Sequence, residues 1–313
     1  MALTTKLLPS PIQPVSFNGY QILVKRDDLV NPHFSGNKAR KLAYMLKGES
    51  SPIRRVISYG SVQSNFLYSL SALAKLKKWN LDFYVQRIPK LLASKPIGNY
   101  KGALELGTNI IELESAKLTD KNLDAFIKQK FSIVSEDTLL IPEGGRTEQA
   151  EVGVVGLAKE IKNYCQENNI ADPIIMLPSG TGTTALFLSK YFSNSDQDAQ
   201  VMTCACVGDG DYLEKQFSEL SADKNDWPNI LPADKKYHFG KLYREHYELW
   251  KDLKAQTDIE FDLLYDPMGW RALMLYLKSQ SKRKNVIYIH QGGLLGNVSM
   301  LARYRREGME PMG

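Results

Sequence analysis

Cysteine is scarce in this chain: three in 313 residues, Cys165, Cys204 and Cys206. An odd count with no metal-like spacing argues against a disulfide scaffold and a zinc site, so the expected metal is none and the expected compartment is a reducing one. Cys204 and Cys206 alternate along an apolar run, so both are expected to point into the core. No stretch approaches the apolar length that a bilayer span needs. Met1 to Ser10 lacks the apolar core of a secretory signal. The expectation is a cytoplasmic protein with no membrane partner. A large excess of one charge sign is also missing: 40 basic residues face 35 acidic ones, for a net +5 and a pI near 8.8. Short basic clusters occur at Lys282-Arg283-Lys284 and Arg303-Tyr304-Arg305-Arg306. No basic stripe interleaves with aromatics, so no nucleic-acid partner is expected. A slight positive bias suits an anionic small ligand.

What is present is ordinary in bulk and unusual in detail. The chain is 43% hydrophobic and 24% charged, as in soluble globular enzymes. Its length allows one large or two moderate domains. Short apolar runs alternate with helical patterns and predict strands at 55–59, 81–86, 109–113, 138–141, 174–177, 201–207, 261–265 and 286–290. Helical patterns follow at 64–77, 148–163, 183–192, 270–281 and 296–306. Apolar strands buried on both faces and separated by helices make an α/β fold with parallel sheets. There is no internal repeat and no low-complexity tract, and the polar segment 225–236, with two prolines, reads as a surface loop.

In open parallel sheets, ligands sit beyond the carboxyl ends of the strands. Here those ends are rich in chemistry. Gly36-Asn37-Lys38 runs straight into a helical pattern. That places the Lys38 amine at a helix start, where partial positive charge disfavours an ammonium. An amine that gives up its proton easily can form a Schiff base with a carbonyl. Gly60-Ser61-Val62-Gln63-Ser64-Asn65 follows the run at 55–59; its polar side chains and free N–H groups can hold a carboxylate, although Ser64 or Asn65 can equally cap the helix. Pro178-Ser179-Gly180-Thr181-Gly182-Thr183-Thr184 opens another helical run. Glycines, hydroxyls and a helix start form a cradle for one phosphate group. It lacks the lysine of a Walker motif and the spacing of a dinucleotide fingerprint. Pro142-Glu143-Gly144-Gly145-Arg146 and His290-Gln291-Gly292-Gly293 are further glycine-rich strand ends, and His290 reads as a hydrogen-bonded structural histidine. A reactive lysine, a phosphate cradle and a carboxylate cup together describe pyridoxal 5′-phosphate and an amino-acid substrate.

The chain resembles the pyridoxal-phosphate-dependent family that holds 1-aminocyclopropane-1-carboxylate deaminase and D-cysteine desulfhydrase, within the tryptophan-synthase-β-like fold group (fold type II). Seven stretches carry the resemblance in order: Lys25-Arg26-Asp27-Asp28-Leu29, Ser35-Gly36-Asn37-Lys38-Ala39-Arg40-Lys41-Leu42, Gly60 to Asn65, Pro142 to Gly145, Ser179 to Thr183, Asp266-Pro267, and His290 to Gly293. The resemblance implies an α/β fold of two open three-layer domains: residues 1–44 with 151–313, and a smaller one inserted at 45–150. It implies that Lys38 carries the cofactor as a Schiff base and shuttles the proton. Asn65 would bond the cofactor's 3′ oxygen, and Ser179, Gly180, Thr181, Gly182 and Thr183 its phosphate. Gln63, Ser64 and Asn65 would bind the substrate carboxylate, with Ser64 assisting catalysis. It implies a homodimer.

Departures are also visible. Beyond Asp-Pro the family carries a tyrosine and, in the deaminases, a glutamate at the pyridine nitrogen; without a gap these fall on Gly269 and Trp270. A tyrosine of a Gly-Tyr-Gly stretch falls on Phe239, and the residue after Ser-Asn is Phe66. Phe239 and Gly269 are thus the expected substrate wall, more apolar than the family's. The expected activity is a lyase or deaminase releasing a 2-oxoacid and ammonia; the alternatives are a racemase, a β-replacement enzyme or a non-catalytic binding homologue.

Overall fold

The computed structural model of the protein describes residues 7, 9–34, 36–46, 52–113 and 120–309. Among the described residues ten strands form two sheets. The larger contains β1 (Ile12–Phe17), β2 (Tyr20–Lys25), β7 (Ile174–Ser179), β8 (Gln200–Ala205), β9 (Asn229–Ile230) and β10 (Val286–Ile289), in the order β1-β2-β10-β7-β8-β9. The smaller contains β3 (Arg55–Tyr59), β4 (Asn80–Val85), β5 (Asn109–Glu112) and β6 (Thr138–Leu140), in the order β5-β4-β3-β6. Every pairing is parallel except β1 with β2. All strands of the smaller sheet lie within residues 45–150. The α/β class and the parallel sheets read from the sequence are therefore observed.

The antiparallel pair has a local cause. Asn18 and Gly19, at φ 48° and 82°, make a two-residue turn with both residues left-handed. Such a turn matches strand twist and joins adjacent strands, here in the register Phe17↔Tyr20. Strands β7 and β10 are buried at every position, as parallel strands covered on both faces must be. Cys204 and Cys206 are 3% and 2% exposed and belong to the main core, as expected.

One expected strand is absent. Residues 261–265 form no ladder; they turn into the helix Asp266–Ser279. The Asp262 carboxylate accepts the N–H groups of Leu264 and Tyr265, at 2.9 and 2.6 Å, and Asp266 accepts that of Asp262 at 2.9 Å. Side-chain acceptors here take the donors that a ladder would use. Segment 225–236 is mostly loop but contributes the edge strand β9.

The helix bearing Lys38, Gly36–Leu46, is held by buried charge. Arg40 pairs with Asp27 at 2.8 Å and with Glu160 at 2.6 Å, and Lys25 pairs with Glu160 at 2.6 Å. Glu160 thus links β2, this helix and the helix Glu151–Glu167. Removing it would leave two cations facing each other, with Lys25 only 1% exposed. Glu160→Ala is expected to cost about 3–5 kcal/mol of stability in urea unfolding. A cost below about 1 kcal/mol would contradict this assignment.

Candidate active site

The candidate residues gather at the carboxyl ends of the strands. The backbone N–H of Asn37 donates to the Gln291 carbonyl at 3.2 Å, fixing the start of the Lys38 helix against the turn after β10. Gln291 in turn donates its side-chain amide to the Pro178 carbonyl at 2.6 Å, joining the ends of the neighbouring strands β10 and β7. Ser35 lies outside the described residues.

Lys38 is half-buried, and its amine is lowered to about 8, first by desolvation. Glu143 and Asp262 act in the opposite direction. Acylation of this amine is expected to rise with pH through about 8, against about 10.4 for an ordinary lysine. Competitive labelling across pH, read by peptide mass spectrometry, checks the midpoint; one near 10 would contradict the burial argument.

One helical turn on is a residue the sequence reading passed over. Lys41 is 2% exposed, and burial, the charge of Lys38 and that of Arg146 all push its amine well down. A cation so placed is costly unless an anion joins it. Its spacing of three from Lys38 was the available signal.

The cup facing Lys41 is built by the loop after β7. A Cβ at Gly144 would lie 3.9 Å from Lys41 Nζ and 3.5 Å from Thr181 Oγ1, so the two glycine-rich turns converge on one place. The helix Thr183–Ser193 starts at Gly182, at φ 71°, with no side chain capping its N–H groups. A side chain at Gly182 would press within 2.4 Å of Phe217. Thr181 and Thr183 hydroxyls are 3.2 Å apart, and the buried Thr184 hydroxyl has no hydrogen-bond partner. Open N–H groups, hydroxyls, an orphaned buried oxygen and a buried amine fit a phosphate. Ser179 is different. It ends β7, 4% exposed, and its hydroxyl is bonded to that of Thr203 at 2.6 Å, so it ties the loop to β8.

The second cup follows β3. Ser64 caps the helix Asn65–Lys77, accepting the Leu67 N–H at 3.1 Å. That bond uses the oxygen as acceptor and not the hydroxyl hydrogen, which can still be donated. The Asn65 amide reaches Asp262 and Gly293: a Cβ at Gly293 would lie 2.2 Å from Asn65 Nδ2 and 3.1 Å from Asp262 Oδ2. Asp262 is buried and its carboxyl is raised to about 6, first by desolvation, while the field of Lys38 lowers it. Gln63 bonds Ser299 at 3.0 Å through its side-chain oxygen.

The wall differs from the sequence expectation. Gly269 is not brought to these groups. It packs in the core, where a Cβ would lie 2.5 Å from the Tyr288 hydroxyl. Trp270 is fully buried among Phe17, Phe261 and Tyr288. Tyr265 reaches the loop after β7 instead, its hydroxyl 3.4 Å from where a Cβ at Gly180 would lie. Burial, then Asp262, keeps that hydroxyl protonated. Phe239 packs beside it, its ring tilted by 52° with centroids 5.1 Å apart, and is 40% exposed. Phe66 is buried beneath the Gly144-Gly145 turn. Asp266 accepts the Tyr288 hydroxyl at 2.7 Å and stands 3.6 Å from His290 Nδ1; burial and Asp262 raise it well above the carboxylate range. His290 donates to the Glu260 carbonyl and accepts from Gly292, a structural histidine as expected. Among the described residues no helix is long and apolar enough to cross a membrane and no cluster could hold a metal ion.

No family model matches the chain. It is 27% identical over 312 residues to the mitochondrial bifunctional D-cysteine desulfhydrase/1-aminocyclopropane-1-carboxylate deaminase of Arabidopsis thaliana, covering 92% of this chain and 77% of that one. It is 25% identical over 327 residues to a putative 1-aminocyclopropane-1-carboxylate deaminase of Thermotoga maritima, covering 98% and 99%. The crystal structure of a deaminase homologue superposes with a TM-score of 0.74 at 22% identity, over 97% of this chain and 95% of that one. The resemblance read from the seven stretches is borne out, and the fold is the one it implied.

Proposed function

From a chain that resembles the deaminase/desulfhydrase family and has its fold, we propose a pyridoxal-phosphate-dependent lyase or deaminase that converts a small amino acid to a 2-oxoacid and ammonia by α,β-elimination. One observation carries this: the depressed amine of Lys38 stands one helical turn from buried Lys41, which faces a donor-lined cup with an orphaned threonine oxygen. An aldehyde-reactive group and a phosphate receptor are thereby set side by side.

The residues present fit that cofactor. Lys38 would hold it through its amine. Gly180, Thr181, Gly182, Thr183, Thr184 and Lys41 would hold its phosphate, with Ser179 anchoring their loop. Asn65 would face its ring oxygen. Bound pyridoxal phosphate supplies an electron sink that weakens bonds at an amino acid's α-carbon. Gln63, Ser64 and Asn65 would orient the substrate carboxylate through N–H and O–H donors. Lys38 Nζ, near neutral pH in its affinity, would take up and return a proton. Tyr265 and Phe239 would close the site against water, with the Tyr265 hydroxyl as a further donor.

Asp262-Leu263-Leu264-Tyr265-Asp266 supplies a tyrosine and an acid four residues ahead of Gly269 and Trp270. Tyr265, whose hydroxyl reaches Gly180, is therefore assigned to the substrate wall, which departs less than the ungapped register implies, while Asp266 stays in the core beside Tyr288. Residues 45–150, which hold the smaller sheet, are assigned to the inserted domain, and a homodimer is the proposed assembly.

The test is product analysis in deuterated buffer with D- and L-amino acids, D-cysteine and the cyclopropane acid included. Ammonia with a 2-oxoacid is the expected result. Deuterium uptake with inversion and no 2-oxoacid would replace elimination by racemisation.

A further inference from the structure

The helix Gly98–Glu105 begins against the helix Leu295–Arg306. Gly98 has φ 57°, and a Cβ there would stand 2.2 Å from Ser299 Oγ, so only glycine permits the contact. That approach delivers Asn99, 1% exposed, between Gln63 and Asn65. Asn99 Nδ2 donates to the Gln63 backbone carbonyl at 2.9 Å and to Asn65 Oδ1 at 2.8 Å.

These two bonds settle the orientation of a third group. A backbone carbonyl only accepts, so its contact fixes which end of Asn99 carries the amino group. The same amino group meets Asn65, which must therefore present its oxygen. The Asn65 amino group is left on the far side, at Gly293, where it donates to Asp262. An asparagine amide has two nearly equivalent settings, told apart by its network. With one N–H given to Asp262 and its oxygen taken by Asn99, Asn65 keeps one N–H donor and no free acceptor.

We propose that Asn99 is a positioning residue that sets the polarity of the Asn65 amide, so that Asn65 offers its remaining N–H to the cofactor's anionic ring oxygen. The identity of that oxygen rests on the pyridoxal phosphate reading; the polarity of the amide does not.

The test uses the cofactor-free protein. The side-chain carboxyl carbon of Asp262 is followed by NMR across pH in the wild type, Asn99→Ala, Asn65→Ala and the double variant. Burial holds Asp262 near 6 and the Asn65 amide lowers it; the other titratable groups whose charge reaches it are Lys38, Asp266, Tyr265 and Cys206. Losing one donor raises the midpoint by about half a unit to one unit. The expected result is that rise in each single variant and no further rise in the double, because both remove the same bond. Asn99→Leu, close in size, repeats the measurement if the alanine variant does not fold. An unshifted midpoint in the Asn99 variants, even with a lowered Tm, overturns the proposal, as does strict additivity. Wild-type protein that takes up no pyridoxal phosphate would sink the cofactor reading and leave this result standing.

Discussion

Lys38→Ala is expected to lower turnover by about 100- to 10,000-fold or more, the usual worth of a positioned base. The magnitude follows from the environment of the amine. With its affinity for a proton lowered to about 8, about a fifth of the lysine is neutral at pH 7.4. An ordinary lysine near 10.4 is neutral about once in a thousand. The fold itself asks little of Lys38, because the charge pairs that fix its helix belong to Arg40 and Lys25. The variant is expected to unfold at a temperature close to that of the wild type. Steady-state assay with the substrate found by product analysis, beside thermal unfolding, separates the two effects. Turnover near the wild-type rate would remove Lys38 from the mechanism.

Lys41→Met is expected to act on stability and binding in opposite directions. In the cofactor-free protein Lys41 is a buried amine lowered by desolvation and by two neighbouring cations. Its folded affinity for a proton lies below the unfolded one, so it opposes folding throughout the range below about 10.4. An apolar side chain of similar length relieves that cost, and the Tm rises. Pyridoxal phosphate affinity falls by about 10- to 100-fold, because a charge-assisted bond contributes about 1.5–3 kcal/mol. Gain of stability with loss of binding is the signature of a residue kept for its ligand. Calorimetry with the cofactor and thermal unfolding without it supply the two readings. Unchanged affinity would take Lys41 out of the phosphate cup.

The two polar turns were legible in the sequence because each is a local object. Gly180 to Thr183 and Ser64-Asn65 stand at strand-to-helix turns, and the physics that draws anions there needs only the helix start and its neighbours. The Asn18-Gly19 hairpin was written equally plainly, yet the half-exposed strands beside it, with few consecutive apolar residues, hid it. Segment 261–265 misled for the opposite reason. Its apolar residues look like a strand, but Asp262 and Asp266 carry the acceptors that make it a turn. That turn is what brings Tyr265 to Gly180 and leaves Gly269 and Trp270 in the core. Asn99 was out of reach and Lys41 was hinted at only by its spacing from Lys38: burial of Lys41 and the bridging by Asn99 exist only once distant helices have packed. Ser179 shows the converse, a residue in the right motif whose hydroxyl is turned to a neighbouring strand.

The most direct test of the central claim is borohydride reduction of the purified protein with pyridoxal phosphate, followed by peptide mapping. The account predicts a visible absorption band that reduction bleaches and a stable pyridoxyl label on Lys38 alone. No band, or a label spread over surface lysines with Lys38 unmodified, would contradict it.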